Sequence, residues 1–207
     1  MSSAREAAIS AADLHEAHTS TGLDNVKMAM WGFLGSECLF FGSLISTYLL
    51  YRGRVLPGQG PNPHEIYDIP YTSVSSFVLL MSSLTMVLAL AAIQRGDHRG
   101  LRVWVLATAL LGLVFIGGQI YEFTTFVDEG MKLSSSPAAS AFFLLTGFHG
   151  AHVTVGIFML LLLLGMSLTG RLVTADARKV ELVGLYWHFV DIVWIVVFTV
   201  VYLIPLR

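Results

Sequence analysis

The chain has 207 residues, 55% of them hydrophobic and 13% charged, with a mean hydropathy of +0.71. That composition excludes a disordered segment and argues against an ordinary soluble domain. A net charge of −2 leaves no electrostatic footprint for nucleic acid, and the single cysteine, Cys38, excludes a disulfide or a thiolate metal cluster within these residues.

Residues 1–28 are polar, rich in Ser, Ala, Glu, His and Asp, and include His15 and His18. They hold no short apolar run followed by a small-residue cleavage site, so a cytoplasmic tail is expected here rather than a signal peptide. Five stretches then reach the roughly 20 apolar residues that a membrane helix needs: 29–51, 72–94, 101–126, 138–168 and 180–203. The expected fold is all-α, a polytopic membrane helix bundle with residues 29–207 as one transmembrane domain. The six prolines, Pro57, Pro61, Pro63, Pro70, Pro137 and Pro205, stand outside the span interiors, where they would break a helix. "LPGQGPNPHEIYDIP" reads as a surface loop and "QRGDHRG" as a tight basic turn.

Lys and Arg set the orientation. With the N-terminus inside, the inner segments carry Arg5, Lys27, Arg95, Arg99, Arg102, Arg171, Arg178 and Lys179, and the outer ones Arg52, Arg54, Lys132 and Arg207. Eight against four predicts N-in and C-out.

Polar groups at membrane depth need reasons. Glu37 interrupts "FLGSECLFFGSLISTYLL", and Glu122, His149, His152, His188 and Asp191 lie well inside later spans, with Glu181 near the inner end of the last. A carboxylate at the centre of a membrane helix costs about 2.5–3.5 kcal/mol on insertion scales. No Lys or Arg lies deep in a span to pair with these acids, so some must be neutral, bonded to His, or open to a wet cavity.

At about 100° per residue, Gly32, Gly35, Ser36, Gly42, Ser43 and Ser46 share one arc of the first span, a face on which helix backbones can approach closely. Glu37 projects away from that arc, toward another helix, a partner subunit or a lipid-filled groove. In the third span Gly118, Gln119 and Glu122 group together; in the fourth, His149, His152 and Gly156; in the fifth, Glu181, Gly184, His188, Asp191 and Thr199. The simplest expectation is an interior stitched by His–carboxylate hydrogen bonds, with Trp31, Trp104, Trp187 and Trp194 as interfacial or packing aromatics.

Chemistry is the alternative. His149-x-x-His152 and His188-x-x-Asp191 have the i, i+3 spacing of helix-borne metal ligands, but the spans hold no Glu-x-x-His of the di-iron type. An intramembrane His/carboxylate metalloenzyme and a small ion transporter both stay open on the residues alone. A haem between His149 and His188 has nothing further to support it. No inverted repeat or broken helix favours the transporter.

Four strings taken together carry a resemblance: "MWGFLGSECLFFGSLISTYLLYRGR", "GGQIYEF", "GFHGAHVTVG" and "VELVGLYWHFVDIVWIVVFTVVYLI". From about Thr21 onward the chain resembles subunit III of the haem–copper terminal oxidases, the cytochrome c and quinol oxidases, in a short five-span bacterial form. The resemblance implies a subunit of an oxidoreductase and translocase with no redox centre of its own and no cofactor in this chain. Haem and copper would lie in partner subunits, the electron donor would be set there, and the location would be the bacterial cytoplasmic membrane. It further implies direct packing on subunit I, contact with subunit II and small subunits, support of proton uptake, and bound phospholipid. Glu37, Glu122, His149, His152, His188 and Asp191 match the family's buried polar positions. The chain departs from the longest members by lacking two spans, and by having Phe123 after Glu122 where many have Tyr.

Overall fold

The computed structural model describes residues 25–54 and 67–204. Most of the expected polar tail, most of the Pro/Gly-rich loop, and Pro205 and Arg207 lie outside the described residues. Five helices follow in order: α1 (Asn25–Tyr51), α2 (Ile69–Gln94), α3 (His98–Asp128), α4 (Pro137–Leu168) and α5 (Ala177–Phe198). A 3-10 turn at Thr174–Asp176 leads into α5, and a π-helical turn at Thr199–Leu203 continues it. All five are long and apolar enough to cross a membrane. The described residues contain no strand.

Helix ends are set by short-range chemistry. Asp68, Asp97 and Ser136 accept from the backbone N–H groups of Tyr71, Gly100 and Ala139 at 3.1, 2.9 and 3.1 Å, capping α2, α3 and α4. Pro70 and Pro137 sit in first turns, where the missing N–H is harmless. Gly96, Gly130 and Gly170 follow the ends of α2, α3 and α4 with φ of +74°, +94° and +70°. Only glycine takes that conformation without strain, so each stops its helix.

The chain forms two compact units, Met1–Glu37 and Cys38–Arg207. The described part of the first is the opening half of α1, with Glu37 half-buried at its end.

In the second unit α2 runs along α3, α3 along α4, and α5 packs against both α2 and α4. Trp187 of α5 fills the space between α3 and α4. A Cβ on Gly112 would come within 2.6 Å of its ring, and one on Gly156 within 2.8 Å. Arg102 ties α3 to the end of α4 through the Ser167 hydroxyl and carbonyl, at 3.1 and 2.7 Å.

The second half of α1 packs through Phe41 and Tyr48, both buried. The small-residue face expected to be a tight seam behaves differently from Gly42 onward. Gly42, Ser43 and Ser46 are exposed, and a Cβ on Gly42 would meet nothing within 4 Å. Ser43 and Ser46 donate to their own helix, to Phe40 and Gly42 carbonyls at 2.7 and 2.8 Å. Two large aromatic anchors turn a different side of α1 toward the rest of the unit.

Gly156→Ala should lower the thermal midpoint of the detergent-solubilised protein, by the equivalent of about 1–3 kcal/mol for overpacking. Gly117→Ala, where a Cβ meets nothing within 4 Å, should cause no loss.

Candidate functional site

Buried polar residues line the contact of α2 with α5: Thr72, Ser76 and Ser82 of α2 and Asp191 of α5, with Glu122 of α3 beside them. Four rungs cross it in antiparallel order. The Trp194 indole N–H donates to Ser76 Oγ at 2.8 Å, and the Trp187 indole N–H to Ser82 Oγ at 2.9 Å. Each serine hydroxyl donates back into its own helix, to Thr72 and Leu79 carbonyls at 2.7 and 2.5 Å. Its lone pairs are thereby left for the indole, and donor and acceptor are both satisfied. Further along, Gly184 lets Met86 approach to 3.3 Å of its Cβ position.

Ser83 makes the third rung. Its hydroxyl bonds His188 Nδ1 at 3.0 Å and also hydrogen-bonds Asp191 Oδ2. Ser83 carries one proton and makes two bonds, so one neighbour must donate to it. Asp191, Ser83 and His188 therefore form a directed chain. It is not a nucleophile triad, in which the base bonds the hydroxyl and is oriented in turn by the carboxylate. Here the carboxylate bonds the hydroxyl itself.

Glu122 of α3 closes the fourth rung. Its Oε1 accepts from Thr72 of α2 at 2.8 Å and from Tyr202, beyond α5, at 3.0 Å. The Tyr202 ring lies 4.6 Å from that of Tyr67, whose hydroxyl is 3.4 Å from that of Tyr48. Tyr67 lies just before α2, outside the spans. Burial first, then the neighbouring Tyr48, pushes its hydroxyl well above the ordinary tyrosine value, so it remains a donor at any physiological pH.

The expected His–carboxylate stitching is thus corrected at two acids. Glu122 and Asp191 are held by hydroxyls of Thr72, Tyr202 and Ser83. Gln119 parts from Glu122 and turns to α4, donating to the Thr146 carbonyl at 2.7 Å, beside Gly150. Thr199 leaves the expected stripe. It is exposed and bonds the Ile195 carbonyl at 2.8 Å, while Val201 and Tyr202 of the following π turn are buried.

The two histidines of α4 do not converge. His149 is 0% exposed, and neither ring nitrogen has a hydrogen-bond partner among the described residues. Its ring stacks on Trp194 at 4.7 Å and meets Phe115 edge-on at 5.8 Å. With no N or O partner for either ring nitrogen, His149 is corrected from a hydrogen-bonded position to one packed among aromatic rings. His152 is half-buried, with Nδ1 2.7 Å from the Phe148 carbonyl and its ring 5.0 Å from that of Phe41. His149 and His188 turn to different neighbours. Glu181 is half-buried in the second turn of α5. Among the described residues no three His, Cys, Asp or Glu side chains are placed to hold a metal ion.

Sequence reasoning missed Ser76, Ser82 and Ser83, and with them the role of two tryptophans. Trp187 and Trp194 are buried hydrogen-bond donors, not interfacial residues. The available signal was the pair of serine doublets, Ser75–Ser76 and Ser82–Ser83, seven residues apart in an otherwise apolar span.

Comparison with known proteins gives one consistent match. The family model described as cytochrome c oxidase subunit III matches residues 4–205. The chain is 40% identical to cytochrome c oxidase subunit 3 of Bacillus sp. (strain PS3), over 86% of each chain. It is 38% identical to quinol oxidase subunit 3 of Bacillus subtilis, over 92% of each. It is also 38% identical to cytochrome bo(3) ubiquinol oxidase subunit 3 of Pseudomonas aeruginosa, over 93% of each.

Ser83→Ala removes the hydrogen-bond partner of a buried carboxyl. It should destabilise the protein by about 1–2 kcal/mol in detergent unfolding. Ser83→Thr, which keeps the hydroxyl, should recover most of that loss.

Proposed function

The chain belongs to the cytochrome c oxidase subunit III family, and from that premise we propose that it serves as the non-catalytic third subunit of an aerobic respiratory haem–copper oxidase. The whole complex passes electrons to oxygen and pumps protons. This chain stabilises subunit I, supports proton uptake near the inner surface and holds phospholipid. Haem and copper belong to the partner subunits, subunit I in direct contact and subunit II with small subunits in the same complex.

The observation that carries this reading is the extent of the match, residues 4–205, on a chain with five membrane-length helices. The polar seam supports it from the physical side. Glu122, His188 and Asp191 are engaged in joining helices, which suits a scaffold better than a reaction centre. In this reading residues 29–207 form one transmembrane domain behind a polar tail, set N-in and C-out in the bacterial cytoplasmic membrane. The Lys and Arg distribution supports that orientation. Glu37 lines a groove toward lipid or subunit I, and its task there is not proton relay.

Native mass spectrometry of the tagged chain, extracted from its own membrane in mild detergent, should return the mass of a larger haem-bearing assembly. A stable, active lone chain or homo-oligomer would contradict the reading and revive the metalloenzyme and transporter alternatives. Glu37→Gln should assemble at wild-type level. Loss of assembly in that variant would instead point to a required ionised partner for Glu37.

A further inference from the structure

The chain of Asp191, Ser83 and His188 runs from a sealed end to an open one. Asp191 is 4% exposed, and its Oδ1 has no hydrogen-bond partner among the described residues. Its Oδ2 bonds the Ser83 hydroxyl, which also bonds His188 Nδ1. His188 is half-buried, and its Nε2 is not among the sealed polar atoms.

No cation stands near the carboxyl. Along α5, Asp191 lies 12 residues from Lys179, about 18 Å at the rise of an α-helix, and along α2 Ser83 lies as far from Arg95. The titratable groups on the surrounding elements are engaged elsewhere. α2 offers only Tyr71, in its first turn, which donates to the Gly118 carbonyl. On α4, His149 stacks on Trp194 and His152 meets the Phe148 carbonyl. On α3, Glu122 accepts from Thr72 and Tyr202. On α5 itself, Tyr186 donates to the His152 carbonyl, and Glu181 stands ten residues before Asp191. From the second half of α1, Phe41 meets Phe189 and Tyr48 turns to Tyr67.

Those surroundings decide where the proton sits. A carboxylate would leave charge on Oδ1, an oxygen with no donor, which a membrane interior penalises heavily. A carboxylic acid with its proton on Oδ2 leaves Oδ1 as a neutral carbonyl oxygen, the milder case. The acid then donates to Ser83, the Ser83 hydroxyl donates to His188 Nδ1, and the imidazole carries its own proton on Nε2, at the open end.

The chain can also run the other way. When water or another base at the open end takes the Nε2 proton, the Ser83 proton moves to Nδ1 and the Asp191 proton moves to Ser83 Oγ. One proton has left, Asp191 is a carboxylate, and the imidazole is neutral in its other tautomer. No electrons change hands. Both hydrogen bonds persist with their directions reversed, so the α2–α5 contact is kept in either state.

We propose that Asp191 is a proton-binding site within the membrane, filled at neutral pH and exchanged through Ser83 and His188, whose imidazole switches tautomer with each transfer. The site goes beyond the scaffold role given above and does not depend on partner subunits.

The test uses the full chain in the assembly purified through its tag, with infrared spectroscopy in light and heavy water and nitrogen NMR of isotope-labelled histidine. Wild type at neutral pH should show a protonated-carboxyl C=O band that Asp191→Asn removes. His188, assigned by the signal that His188→Gln removes, should be the Nε2–H tautomer. Raising the pH should remove the band and convert His188 to the Nδ1–H tautomer together. Ser83→Ala should keep the band and slow its shift in heavy water by about a hundredfold. Ser83→Thr should restore the wild-type rate. An ionised Asp191 or an Nδ1–H His188 in wild type at neutral pH overturns the proposal, as does an unchanged exchange rate in Ser83→Ala. If Ser83→Ala fails to fold, the wild-type band and tautomer decide. Absence of haem-bearing partners would count against the proposed function while both signals could still be read on the chain.

Discussion

The antiparallel contact of α2 with α5 is the constraint on which the rest of the second unit depends. In a bilayer, apolar side chains gain little by leaving lipid for one another, so helix pairs need packing and hydrogen bonds to choose a register. Here the choice is made by four rungs: Thr72–Glu122–Tyr202, Ser76–Trp194, Ser82–Trp187, and Ser83 with His188 and Asp191. A shift of α5 by one turn would leave two indole N–H groups and the Asp191 carboxyl without partners, and Glu122 with Thr72 alone, in a medium that offers no water.

The other helices take their places from that register. Once Trp187 is bonded to Ser82, its ring occupies the gap that Gly112 and Gly156 leave open, which fixes how closely α3 and α4 approach α5. Once Trp194 is bonded to Ser76, its free face receives His149, and Phe115 meets both rings edge-on. The polar residues that look like candidates for chemistry are thus the ones that hold the helices in order.

Much of this was legible in the sequence. Span number and type follow from the length of the apolar runs, because a membrane helix must satisfy its own backbone. Helix starts came out three or four residues late at Asn25, Ile69 and His98, since helices and their Asp68 and Asp97 caps extend into polar sequence that hydropathy does not count. Of the residues grouped by angle, His149, Gly156, Gly184 and Asp191 are buried, while His152, Glu181 and His188 are half-buried. Their partners were not visible, because a serine in an apolar helix normally bonds its own carbonyl and gives no sign of also accepting from elsewhere. Thr199 shares the angle of the stripe but not its burial, because it stands at the end of α5, where the inward positions are Val201 and Tyr202.

The most direct test of the register is a double-mutant cycle between Ser76 and Trp194, using Ser76→Ala, Trp194→Phe and the pair, each measured by reversible unfolding in detergent. The indole–serine rung predicts a coupling energy of about 0.6–1.7 kcal/mol, the range of interhelical hydrogen bonds in membranes. Strict additivity of the two single losses would mean that these side chains do not meet, and would contradict the α2–α5 alignment on which the other rungs depend.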